Sequence, residues 1–103
     1  MIKFKIMQIK DIGHTDYAFR SYDPKKFNIE DYEIRYEAES EVVDKSNLEL
    51  CEIIFLLFNT RRPSDFKGHS LSMSDLVWIE RDGRCSLYYC DMCGWIKIKE
   101  VRA

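Results

Sequence analysis

The chain has 103 residues, of which 46% are hydrophobic and 33% charged, the balance of a folded globular protein and not of a disordered tail. Two independent cores would each need roughly 50 residues or more, so residues 1–103 are expected to form a single domain. Sixteen Lys and Arg against eighteen Asp and Glu give a net charge of -2, which excludes a protein that wraps nucleic acid through bulk basicity.

In chain order, Ile2, Phe4 and Ile6 alternate with Lys3 and Lys5, the period of a half-buried strand over residues 2–9. The same alternation is unlike the apolar block of a targeting segment. The longest apolar run, Ile53 to Phe58, falls short of the roughly 20 residues of a membrane helix. Together these set the expectation of a cytoplasmic protein without membrane contact. Residues 10–29 break up around Gly13 and Pro24, and Tyr17, Phe19, Tyr22 and Phe27 are expected to anchor this irregular stretch on the core. Tyr32, Ile34 and Tyr36 alternate with Glu33, Arg35 and Glu37, predicting a strand at a sheet edge with a charged outer face.

Ser46 followed by Glu49 is a capping box opening a helix over 47–59. Its apolar stripe of Leu50, Ile53, Ile54, Leu57 and Phe58 is widened by Cys51, Phe55 and Leu56, so the helix is expected to be buried on most sides. Arg61, Arg62 and Pro63 mark its end. Leu76 to Glu80 and Cys85 to Cys90 flank Arg81-Asp82-Gly83-Arg84, and Asp-Gly between such runs predicts a β-hairpin. Trp95, Ile96 and Ile98 then predict a last strand after a turn at Asp91 to Gly94. The fold class is α+β: an antiparallel sheet of about five strands with one main buried helix.

Cys90 and Cys93 form a C-x-x-C with Cys85, His14 and His69 elsewhere, but no second pair at zinc-ligand spacing accompanies it. Ordinary thiols are the favoured reading, zinc and redox chemistry the alternatives; no metal and no cofactor is expected. Asp65 to Asp75 holds every residue type of a Ser/His/Asp triad, yet adjacent side chains diverge and Gly68-His69-Ser70-Leu71-Ser72 lacks the second glycine of a nucleophile elbow. Gly68, His69, Ser70, Ser72, Ser74 and Asp75 therefore read as a structural motif and not as catalytic residues.

Residues 30–44 carry seven acids against Arg35 alone, a local charge of -6. Such a face serves either as a solvated edge that discourages aggregation or as a docking surface for a basic partner, with Glu33, Glu37, Glu39 and Glu41 as the partner-binding candidates. The opposing possibility, stacking of single-stranded nucleic acid on Trp78, Tyr88 and Tyr89 beside Arg61, Arg62 and Lys67, has no specific signal, since strand aromatics usually pack a sheet face.

The order Phe58-Asn59, Pro63, Asp65-Phe66, Gly68-His69-Ser70-Leu71-Ser72, Ser74-Asp75, Tyr88-Tyr89 and Asp91 resembles the YodL-like domain of proteins from conjugative and other mobile elements. The likeness is clear over residues 46–95 and holds only in outline before them, and Cys93 stands where the family typically has an aromatic or other non-Cys residue. The resemblance implies no enzymatic activity. It implies instead a small anti-defence protein, an anti-CRISPR that binds a type II effector nuclease and interferes with guide-RNA loading or target cleavage. A nucleic-acid-binding accessory module of a conjugative element is the alternative. A monomer is expected, acidic residues on an edge strand disfavouring sheet-to-sheet dimers.

Overall fold

The computed structural model describes residues 1–102. Strand β1 spans Ile2–Ile9, β2 Tyr32–Ser40, β3 Leu76–Arg81, β4 Arg84–Asp91 and β5 Gly94–Arg102, and the helix α1 spans Asn47–Thr60. All neighbours are antiparallel in the order β2-β1-β3-β4-β5, so β2 and β5 are the two edges. The sheet with its single helix is the expected α+β architecture. Asp82 and Gly83 form the two-residue loop between β3 and β4, with φ of 52° and 75°. Positive φ at both central positions matches the right-handed twist of the flanking strands, which is why Asp-Gly specifies this hairpin.

The register assigns side chains to two faces. Ile2, Phe4 and Ile6 share the front with Tyr36, Val77, Ile79 and Tyr88, and there they pack against Leu50, Cys51, Ile54 and Phe58 of α1. Met7 and Ile9 share the back with Tyr32, Leu76, Trp78, Leu87 and Tyr89, where Tyr17, Tyr22 and Phe27 of the irregular stretch cover them. The stretch thus anchors on the core as its aromatic content requires, except that Phe19 stays 45% exposed.

Two expectations are corrected. The stripe of α1 is narrower than its composition suggests: Leu50, Cys51, Ile54 and Phe58 are buried, but Leu56 and Leu57 are 62% and 44% exposed. One sheet face beneath a helix shields about one side of it, and no second layer covers the other. The alternation in β2 is also interrupted. Ile6 pairs Tyr36 and Met7 pairs Ile34, leaving Arg35 as an extra residue in a bulge. Tyr36 therefore faces the helix while Tyr32 and Ile34 face the back, instead of all three sharing a side.

Candidate functional site

The segment from Gly68 to Asp75 crosses the end of the sheet, and its centre is Gln8. Along β1 the even positions face the helix, so Gln8 follows Ile2, Phe4 and Ile6 into the interior and is fully buried. A buried amide must find partners. Its Nε2 donates to Asp75 Oδ2 at 3.0 Å and to the His69 carbonyl at 2.9 Å, while its Oε1 accepts from the His69 N–H at 3.2 Å. The His69 ring Nδ1 lies 2.7 Å from the Ser70 carbonyl and 3.2 Å from Gln8 Nε2.

Asp75 Oδ2 also accepts from the Ser72 N–H at 2.9 Å, and the Asp75 N–H donates to the Ser72 carbonyl at 3.1 Å. Burial pushes the Asp75 carboxyl up to about 6, against the opposing pull of the hydrogen bonds from Gln8 and Ser72. Ser74 adopts φ of 78°, a left-handed conformation held from three sides. Its N–H donates to the Cys90 carbonyl at 2.9 Å, its Oγ accepts from the Phe19 N–H at 3.0 Å, and its carbonyl accepts from the Tyr32 hydroxyl at 2.5 Å. Asn59 brings in the end of α1, donating to the Leu71 carbonyl at 3.1 Å and accepting from the Leu71 N–H at 2.6 Å. A Cβ at Gly68 would overlap the Gln8 amide and crowd the Phe66 ring, so only glycine fits.

The motif residues thus bond mainly to the scaffold around them. Ser70 Oγ accepts from Arg62 at 2.7 Å, Ser74 Oγ accepts from Phe19, Ser72 Oγ is buried without a partner, and among the described residues no serine hydroxyl is hydrogen-bonded to the His69 ring. Gln8 joins the network without having been singled out in the sequence, and Asn59, Phe19 and Tyr32, read there as a motif residue, a core anchor and a strand residue, join it as hydrogen-bond partners. For Gln8 a signal existed: a polar residue in phase with the apolar side of a strand.

The four candidate glutamates Glu33, Glu37, Glu39 and Glu41 are all exposed, but the bulge and the sheet register divide them. Glu33 pairs with Arg35 at 2.7 Å, and Glu37 lies 3.9 Å from Lys5 on the neighbouring strand. Glu39 stands opposite Lys3 in the ladder, and neither Glu39, Glu41 nor Asp44 makes an ion pair among the described residues. Glu39 shares the back of the sheet with Glu37, Lys3 and Lys5, while Glu41 and Asp44 lie just beyond the end of β2. Beside them a groove of about 250 Å³ runs between Ser40–Val42 and α1, lined by Phe4, Leu50, Ile53 and Leu57. The back of the sheet carries a larger groove of about 460 Å³ whose walls include Met7, Phe27, Ile34, Trp78 and Leu87, with Lys5 and Lys99 at its rim.

Of the three aromatics considered for stacking, Tyr88 and Tyr89 are buried at 4% and 0% exposure, while Trp78 is half-buried in the wall of the back groove. Tyr89 instead donates its hydroxyl to the Arg20 carbonyl at 2.8 Å, locking the irregular stretch to the sheet. Cys51, Cys85 and Cys90 are buried and Cys93 is exposed, all as free thiols. Burial raises Cys90 to about 12 and Cys51 further, so neither is activated as a thiolate. Among the described residues no three His, Cys, Asp or Glu side chains converge on a metal-sized site. No described helix is long and apolar enough to cross a membrane.

A five-stranded antiparallel sheet with one helix, pinned by buried Gln8 and Asp75 with half-buried His69 of a Gly-His-Ser-Leu-Ser segment, defines a small α+β domain. The chain belongs to the YodL-like domain family, whose model matches residues 3–101. That match takes in β1 and the aromatic stretch, where the sequence likeness had been only an outline. No curated protein and no solved structure matches the chain.

Proposed function

We propose that this chain is a non-enzymatic anti-defence protein of a mobile element, an anti-CRISPR that binds a type II RNA-guided nuclease and blocks guide-RNA loading or DNA cleavage. The observation that carries the reading is the exposed acidic edge of β2, with Glu39 and Glu41 unpaired. A type II nuclease holds its guide and heteroduplex in positively charged channels. A small acidic protein competes for such a channel by charge complementarity, and gains association rate from the same field. The engagement of the Ser/His/Asp segment in internal hydrogen bonds supports a role in holding the fold, leaving the surface to act.

The test is a cleavage assay in which the protein is added before or after guide loading. Stronger inhibition on early addition identifies competition with guide RNA; equal inhibition in both orders identifies a block of target binding or cleavage. Absence of inhibition across several type II nucleases, together with a gel shift of single-stranded RNA or DNA, would replace the proposal with the accessory-module reading.

A further inference from the structure

The groove on the back of the sheet has a shape and a charge that the proposed function leaves unused. Its walls draw on all five strands, with Ile34 on β2, Met7 on β1, Trp78 on β3, Leu87 on β4 and Val101 on β5, so it runs across the whole sheet. At a strand spacing of about 4.8 Å this is a length of roughly 19 Å. Phe27 and Ile29, from the stretch that covers the rest of this face, stand along one side and make it concave. Its volume of about 460 Å³ lies within the roughly 300–1,000 Å³ of small-molecule clefts. Ile29, Ile34 and Val101 are 42%, 46% and 46% exposed, so a long apolar surface is open to solvent.

Charge decides what fits there. Lys5 and Lys99 line the groove, and among the described residues no Asp or Glu does. The register sets Lys99 opposite Leu87 on this face, whereas Glu100 turns to the other face, where it bonds Ser86 and Lys97. Lys99 makes no ion pair among the described residues. Lys5 differs: its ammonium lies 4.5 Å over the Trp78 ring and 3.9 Å from Glu37. It also borders a separate cleft, where Glu37, Glu39 and Glu80 are interleaved with Lys3 and Lys5. The acids of the back thus have cations among them, and Lys99 is left as the unneutralised charge at the β5 end of the groove. A two-fold dimer needs a patch that complements itself, which a groove lined by lysines without a carboxylate does not supply.

We infer that the back groove is a binding site for a linear acyl carboxylate: the chain lies across the strands from β5 toward Ile34, between Trp78 and Phe27, and the carboxylate meets Lys99. The site uses neither the acidic edge nor a nuclease, so it stands or falls separately from the proposed function.

The probe is decanoate below its micelle concentration, titrated into the full chain and followed by calorimetry and by amide chemical shifts. Shifts are expected at Ile34, Leu87 and Val101 and not at Leu56 on the exposed side of α1. Affinity is expected to rise about two- to fourfold with each CH₂ added from hexanoate to decanoate. Decyltrimethylammonium, a tail of the same length with the opposite charge, binds about fivefold more weakly. Ile34→Asp and Val101→Asp change exposed positions, keep the native circular dichroism and melting profile, and weaken decanoate about tenfold or more. Lys99→Glu weakens decanoate about fivefold and strengthens decyltrimethylammonium, a reversal that a loss of folding does not produce. Leu56→Asp leaves both unchanged.

No shift with decanoate, equal binding of the two tails by wild type, or unchanged decanoate binding by both aspartate variants would overturn the inference. So would a melting temperature that falls as decanoate is added, the mark of detergent-like unfolding. Sedimentation of a wild-type dimer that Val101→Asp dissolves would make the occupant a second copy, and the inference would fail.

Discussion

Gln8 is a single amide that ties β1 to the segment from His69 to Asp75, and Gly68 is the residue that leaves room for it. Replacing Gly68 with Ala forces the new Cβ into the Gln8 side chain, which must move and release its partners on His69 and Asp75. Overpacking together with an unsatisfied buried amide is expected to cost about 2–4 kcal/mol, read as a lower denaturation midpoint. Asp75 gives a pH signature of the same hub. Its folded-state value of about 6 lies above the ordinary 3.8, so between these limits the native state holds a proton that the unfolded chain has released. The contribution of this group to stability is therefore full below the lower value and declines as pH rises through about 6. Asp75→Asn removes the titration. Denaturation at pH values on both sides of the window is expected to show the stability of wild type relative to Asn falling by on the order of 2 kcal/mol as pH rises.

At the scale of elements, α1 begins where its cap dictates. The Ser46 hydroxyl accepts from the Glu49 N–H at 3.2 Å, and Glu49 accepts from the Ser46 N–H at 3.1 Å, which holds the Glu49 carboxyl below its ordinary value. Ser46→Ala is expected to lower stability by about 1 kcal/mol in chemical denaturation, because a free backbone donor loses its partner. The cap, the Asp-Gly hairpin and the strand periods were legible in the sequence because each is decided within a few residues. The bulge at Arg35 was not. Tyr32, Ile34 and Tyr36 alternate without interruption in sequence, and only pairing with β1, which leaves Arg35 unmatched between Met7 and Ile6, reverses the phase. The exposure of Leu56 and Leu57 was hidden for a related reason: periodicity gives the width of an apolar stripe but not how many layers the fold supplies to cover it.

For the molecule as a whole, the two faces of the sheet are covered by different means, a regular helix on the front and an aromatic stretch without regular strands on the back. The acidic segment was legible as composition. Its division into internally paired and unpaired carboxylates depends on which strands become neighbours, a property of the closed fold and not of any local run. The back was harder still, since Tyr17 and Tyr89 meet across more than half the chain, through Tyr22 and Phe27. The two-faced build also gives the chain a pair of optical reporters. Its two tryptophans lie half-buried on opposite sides: Trp95 stands edge-on to Phe55 of the helix at 6.3 Å, and Trp78 lies on the back beneath Lys5 at 4.5 Å. Trp95→Phe leaves emission from the back alone and Trp78→Phe from the helix side alone, so the fluorescence of two single-tryptophan chains reports which side of the sheet a bound macromolecule shields from an added quencher.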